Sequence, residues 1–153
     1  MSVAFRRESD EEHLEPKFEL PIPLGPNLVT QRGLELLETK VAELEAALPA
    51  LTEEEQRKKH LRELRYWRTR LATAELTEAK SADLVGFGCR VDLLLNGKPR
   101  TIELVGHDEA DPPAGKLAFT APLARAIIGA EVGELLDFAG KEGAIAVQAI
   151  AAI

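Results

Sequence analysis

The 153-residue chain holds a single cysteine, methionine, tryptophan and tyrosine, and these scarcities narrow the classes open to it. Cys89 alone cannot close an intramolecular disulfide, so a reducing compartment is expected. The three histidines, His13, His60 and His107, lie far apart with no partner at ligand spacing, so no structural metal is expected. Residues 1–14 carry Arg6, Arg7, Glu8, Asp10, Glu11 and Glu12 and no apolar stretch, which argues against a signal peptide. Nowhere does an apolar run reach bilayer-spanning length, and a cytoplasmic protein without a membrane partner is the expectation. The chain also lacks a Gly-rich phosphate loop, a Ser/His/Asp set and an activating context for Cys89. No enzyme activity of its own is expected, and Cys89, opening a predicted strand, reads as a small buried hydrophobe.

Charge is abundant but uneven. The net charge of −7 argues against a general DNA-binding surface, which needs excess cations to displace counterions. Residues 1–29 hold 3 basic and 6 acidic groups, residues 30–77 hold 9 of each, and residues 78–153 hold 7 and 11. Within the neutral middle, residues 57–70 carry seven bases (Arg57, Lys58, Lys59, Arg62, Arg65, Arg68, Arg70) against one acid, Glu63. With Tyr66 and Trp67 interleaved, such a row suits phosphate contact and stacking. It equally suits a solvated helix face paired to Glu35, Glu38, Glu43 and Glu45, with Trp67 packed inward.

Three parts emerge along the chain. Pro16, Pro21, Pro23 and Pro26 forbid helix, and residues 1–28 are expected to be a Pro-rich, flexible extension that pairs with a partner or folds back on the chain's own sheet. Thr30 is a plausible N-cap, and Leu34, Leu37, Val41, Leu44 and Leu48 follow at spacings of 3, 4, 3 and 4. After Pro49-Ala50-Leu51, Thr52-Glu53-Glu54-Glu55 has the form of a capping box that would engage Glu55 and open a second helix. Its inward residues are His60 or Leu61, then Leu64, Trp67, Leu71 and Ala74. Residues 29–77 thus form an antiparallel two-helix hairpin with a coiled-coil seam.

Residues 78–153 turn to β patterning after a short linker, 78–82. Cys89–Leu95 and Lys98–Val105 flank Asn96-Gly97, the dipeptide preferred in type I′ hairpins. A strand at 116–119 follows, then a short helix at 122–128 with Pro122 at its first position and Gly129 as its stop. A second hairpin, 135–139 with 144–153, turns around residues 140–143. The fold class is α+β: a helical hairpin followed by a domain with a mainly antiparallel sheet and one short helix.

The order of parts and several motifs resemble the Gre family of bacterial transcription elongation factors. The matching residues are Val29-Thr30-Gln31-Arg32-Gly33-Leu34, Phe87-Gly88, Val105-Gly106-His107-Asp108-Glu109-Ala110-Asp111-Pro112, and residues 121–129 (Ala-Pro-Leu-Ala-Arg-Ala-Ile-Ile-Gly) followed by Val132-Gly133. The resemblance runs over roughly residues 28–153. It implies a C-terminal FK506-binding-protein-like domain that grips the rim of the RNA polymerase secondary channel while the coiled coil enters the channel. Asp108, Glu109, Asp111, Pro122, Leu123, Ala124 and Arg125 would then face the polymerase. Arg57, Lys58, Lys59, Arg62 and Arg65 would meet nascent RNA, DNA or the channel wall.

In the family, acidic residues at the coiled-coil tip help hold a magnesium ion in the polymerase active centre and stimulate RNA cleavage, which remains the polymerase's chemistry. The family's Gly-Asp-Leu-x-x-Asn-Ala-Glu-like tip has no counterpart here. Glu53 and Glu54 are the available tip acids, and they also suit the positive end of a helix dipole. A first helix over residues 31–48, roughly 27 Å at about 1.5 Å per residue, is shorter than the family's arm by several turns. The expectation is a monomeric, polymerase-binding regulator with weak or no cleavage stimulation and no cofactor of its own, touching the polymerase Mg²⁺ at most indirectly. The alternative is a short-armed module resembling the regulators of nucleoside diphosphate kinase, acting on polymerase or another protein. A third reading, an FK506-binding-like prolyl isomerase, would need a cleft rich in aromatics, and these make up only 5% of the chain.

Overall fold

The structure, a computed structural model, describes residues 19–153. Most of the expected extension, residues 1–18, therefore lies outside the described residues. By density of contacts the chain divides into two units: Glu38–Thr73 with the residues leading up to Leu24, and Gly25–Leu37 with Ala74–Ile153.

The first unit is helical. Helix α1 covers Gln31–Ala47, a 3₁₀ turn follows at Leu48–Ala50, and helix α2 covers Glu54–Thr73. The chain reverses at that turn. Arg57 donates to the Leu48 carbonyl and His60 Nε2 to the Leu44 carbonyl, so contacts advance along α2 as they retreat along α1. Between the helices Val41, Leu44 and Leu64 are buried, with Leu48, Trp67 and Leu71 packed against them. The 3-4 spacing of apolar residues accounts for this seam, since it places them on one helical face.

The second unit holds the sheet. Strands β3 (Cys89–Leu95), β4 (Lys98–Val105), β5 (Lys116–Ala118), β6 (Leu135–Phe138) and β7 (Lys141–Ala152) are ordered β5-β4-β3-β7-β6. All neighbours are antiparallel except β4 and β5. Alternation in β3 buries Cys89, Val91 and Leu93 while Arg90 and Asp92 face solvent. Ile102, Leu104, Ile145 and Val147 join this core, covered by Ala124 and Ile127 of helix α3, Pro122–Ile127. On the outer face Glu103 accepts from Arg90 of β3 and Lys116 of β5, each at 2.8 Å, an ion ladder across three strands. Its carboxyl is held below the usual range chiefly by the Lys116 hydrogen bond, against a smaller opposing effect of burial, with Arg90 adding to the lowering.

Several expectations shift in detail. Asn96 and Gly97 have φ of 52° and 83°, as a type I′ turn requires. The second hairpin turns earlier than expected, at Ala139-Gly140 with φ of 54° and 79°, and residues 141–143 belong to β7. The short helix ends at Ile127, with Ile128 as its cap. Helix α2 ends at Thr73, so Ala74 lies beyond it. Two short strands had no sequence signal: β1 (Leu28–Val29) and β2 (Glu75–Leu76) pair in parallel. Asn27 is buried and Leu28 is in a strand, so the extension is tied down before residue 28. Cys89 is buried at the start of β3, its thiol 3.7 Å from the Ser81 carbonyl.

Candidate functional site

Two motifs that stand more than seventy residues apart in sequence meet at the first turn of α1. Thr30 caps the helix, its hydroxyl oxygen accepting from the Gly33 amide at 3.0 Å. The same hydroxyl donates to Glu109 Oε1 at 2.5 Å, and Arg32 donates to Glu109 Oε2 at 3.2 Å. Glu109 is only 6% exposed, yet both its oxygens are engaged. A carboxylate at a helix N-terminus also meets the positive end of the dipole.

Two glycines make the approach possible. A Cβ on Gly33 would stand 2.9 Å from Glu109 Oε1, and one on Gly106 would stand 2.3 Å from the Leu28 carbonyl oxygen. The 29–34 and 105–112 motifs are thus two halves of one lock that fixes the start of α1 to the loop after β4. Spacing along the chain gave no sign of this partnership, because Thr30 and Glu109 are 79 residues apart.

The lock redistributes the expected docking residues. Glu109 is consumed by it, and Ala124 is fully enclosed in the core beneath α3. Neither of these two expected docking residues offers exposed surface in the fold. Asp111, Pro122 and Arg125 are exposed, while Asp108 and Leu123 are half-buried. Asp111 precedes the 3₁₀ turn Pro112–Ala114 and exchanges backbone hydrogen bonds with Lys116. Beside them the His107 ring meets Phe119 edge-on at 5.6 Å, and Phe119 meets Phe87 at 5.5 Å.

At the hairpin tip the capping box is not formed. Helix α2 opens at Glu54, one residue later than a Thr52 cap requires, and no hydrogen bond joins the side chains of Thr52 and Glu55 to the helix start. Glu53, Glu54 and Glu55 are all exposed, with Lys58 Nζ 3.7 Å from Glu54. The expected engagement of Glu55 is therefore corrected.

The basic row is more heavily partnered than its sequence suggests. Arg65 grips Glu19 through two hydrogen bonds of 2.7 Å, a partner from the extension that helix patterning could not reveal. That hydrogen bonding holds the Glu19 carboxyl below its usual range, against a smaller desolvation effect, with the Arg65 and Arg62 charges assisting. Arg68 pairs with Glu45, which among the described residues is the one of the four expected α1 acids bound to this row. Arg57 reaches a backbone carbonyl, and Arg70 is only 2% exposed, so the exposed row ends at Arg68. Trp67 packs on the seam, with Tyr66 edge-on at 5.0 Å and Lys40 Nζ 5.7 Å from its ring centre.

Among the described residues no group of three or more His, Cys, Asp or Glu is arranged to hold a metal. Among the same residues no helix is long and apolar enough to cross a membrane. The candidate surfaces are a loop edge anchored through Glu109 in one unit and a cationic helix face with tip acids in the other.

Residues 80–153 match the family model described as the C-terminal part of the transcription elongation factors GreA/GreB. Transcription elongation factor GreA of Ralstonia nicotianae is 40% identical over 80 residues, 49% of this chain and 51% of that protein. GreA of Rhizobium leguminosarum bv. viciae is 36% identical over 98 residues, 63% of this chain and 60% of that protein. The chain thus spans about half to three fifths of the length of these relatives. GreA of Sinorhizobium medicae is 32% identical over 114 residues, 72% of this chain and 68% of that protein. Among solved structures, the GreA factor homolog 1 protein of Thermus thermophilus aligns over 83% of this chain and 99% of its own, at 21% identity and a TM-score of 0.38. With a relative of this identity covered over two thirds of its length, and a family model matched from Lys80 to the last residue, the chain belongs to the GreA/GreB family of transcription elongation factors.

Proposed function

We propose that this protein is a regulator that binds bacterial RNA polymerase at the secondary channel, through an FK506-binding-protein-like C-terminal domain, and stimulates transcript cleavage weakly or not at all. Residues 29–77 would act as a short coiled-coil arm and residues 78–153 as the docking domain. The exposed edge of Asp111, Pro122 and Arg125, with Asp108 and Leu123 beside it, would face the channel rim. Arg57, Lys58, Lys59, Arg62 and Arg65 would meet nucleic acid or the channel wall. The protein would act as a cytoplasmic monomer without a cofactor of its own.

The observation that carries this reading is the contrast between the two parts. The family motifs of the C-terminal unit are intact, down to the lock between residues 29–34 and 105–112. The arm, by contrast, turns through Leu48–Ala50 with no family-like acidic loop, and its first helix of 17 residues is about 26 Å long. A hard cation needs oxygen ligands brought within about 2–2.6 Å, and the family's arm is longer by several turns.

The test is co-purification with core RNA polymerase followed by a cleavage assay on backtracked complexes. Expected are stable binding, weakened by Asp111→Lys and Arg125→Glu, and a cleavage rate within a few-fold of polymerase alone. Strong stimulation that is lost in Glu53→Ala/Glu54→Ala would overturn the weak-cleavage reading. Absence of binding would overturn the polymerase reading and favour the alternative, a short-armed module resembling regulators of nucleoside diphosphate kinase with another protein partner.

A further inference from the structure

One edge of the sheet is open along part of its length. Strand β7 runs to Ala152, but β6 pairs with it only as far as Ala146, and Val147 is held just beyond by the Gly133 amide and the Glu134 carbonyl. Residues 149–152 pair with β3 on one side, and no strand among the described residues pairs with them on the other. The Ile153 amide donates to the Gly88 carbonyl at 2.9 Å, toward β3. By alternation the N–H and C=O of Ile150 and Ala152 point the opposite way, to the open side.

Exposed edges are usually blunted by charge, proline or a bulge. Strand β6 carries Asp137 on its edge, and the outer side of β5 is bridged by Asp111. The open stretch of β7 has no such device. Residues 143–153 include no charged residue, and the bulge of β7 falls before Ala149. Ala149, Ala151 and Ala152 are exposed, and Ile153 is 49% exposed. Pairing puts Ala149 and Ala151 on the outer face with Asp92 and Arg90, and Leu135, across from Ala146, is 68% exposed. Strand addition by an unrelated peptide draws its specificity from pockets for alternate side chains, and a row of alanines provides none. Small uncharged residues do meet their own two-fold image without clash or repulsion.

We propose that residues 149–153 pair antiparallel with the same residues of a second copy of this chain, about a two-fold axis at Ala151, joining two sheets into one. Ile150 of each copy then opposes Ala152 of the other, and each such pair exchanges both its backbone hydrogen bonds. Ala151 faces Ala151 as the pair between them, with Cα atoms about 4.5 Å apart. The contact is isologous and closes on itself, so it stops at a dimer. An edge this short falls well below the roughly 1,600 Å² of a standard interface, which makes the dimer reversible and concentration-dependent. The monomer proposed to act on polymerase is its dilute form.

The test is sedimentation velocity of the full chain over a concentration series, with crosslinking as a second readout. The wild type should pass from monomer to dimer as concentration rises. Ala152→Pro should stay monomeric while keeping cooperative unfolding, because it removes an N–H on the open side and none from the ladder with β3. In a Cys89→Ala background, Ala151→Cys should oxidise to a disulfide-linked dimer about tenfold faster than Ala149→Cys, since pairing brings only the former thiols together. Two Ala151 positions stand within disulfide range, whereas the Ala149 positions lie about 13 Å apart along the strands. Equal crosslinking of the two variants means random collision and overturns the pairing. Dimerisation of Ala152→Pro at wild-type concentrations assigns the contact to another surface and overturns it too. A wild type that stays monomeric up to millimolar concentration overturns the second copy as occupant and leaves the edge to a strand from another protein.

Discussion

Glu109 shows how one carboxylate can be read two ways. In sequence it sits among acids in a loop, and Asp108, Glu109 and Asp111 look alike. In the fold Glu109 turns inward onto Thr30 and Arg32, and Asp111 stays exposed. What separates them is a partner 79 residues away, which local pattern cannot encode. Gly33→Ala should destabilise the protein by about 1–3 kcal/mol through the clash at Glu109 Oε1, and Glu109→Ala by a similar amount through the loss of its charged hydrogen bonds. Because both act on one carboxylate, denaturant unfolding of the double variant should show less than the sum of the two costs; strict additivity would mean that Gly33 is needed for another reason. Glu103 supplies a pH-dependent test. Its folded pKa lies below the ordinary value near 4.5, so its stabilisation is complete above that value and is lost as pH falls through the folded pKa. Glu103→Gln should therefore cost about 1 kcal/mol at neutral pH, and the gap from wild type should close as pH falls through the lowered folded pKa. A gap independent of pH would assign the cost to packing.

At the scale of elements, legibility followed how local the determining interaction is. The Asn96-Gly97 hairpin, the Pro122 helix start and the 3-4 seam of the hairpin depend on neighbours within a few residues, and the structure shows each. The Ala139-Gly140 turn did not stand out, because alanine at φ of 54° is not a residue-type preference and the strands around it impose the conformation. Strands β1 and β2 are two residues each, too short for any alternation to be seen. The two threonines expected to cap helices separate cleanly. Thr30→Ala should cost about 1–2 kcal/mol, since its hydroxyl serves both the Gly33 amide and Glu109. Thr52→Ala should stay within about 0.5 kcal/mol, as expected where no cap is lost. Thermal unfolding of the two variants measures the contrast, and a large loss at Thr52 would restore the capping box.

For the whole molecule, family membership was legible because the motifs of residues 105–112 and 121–133 are specific in themselves. The candidate site was less so: residue types in the basic row were evident, but the Glu19 clamp on Arg65 and the burial of Arg70 required the fold. The pairing of β1 with β2 carries one more consequence. Leu28–Val29 and Glu75–Leu76 lie side by side and parallel, about 4.8 Å apart as neighbouring strands do. Everything between residues 30 and 74 is thus an excursion that leaves and returns through one doorway. Closing such an excursion costs only about 0.6 kcal/mol more for each doubling of its length, so whole helical turns can be added or removed in matched pairs without disturbing the sheet. Replacing residues 38–73 by a short Gly/Ser linker should leave a folded remainder with cooperative unfolding, and loss of cooperativity would show that the excursion is needed to hold the doorway. On these terms the length of the helical hairpin is an adjustable dimension of this architecture, set independently of the sheet from which it departs.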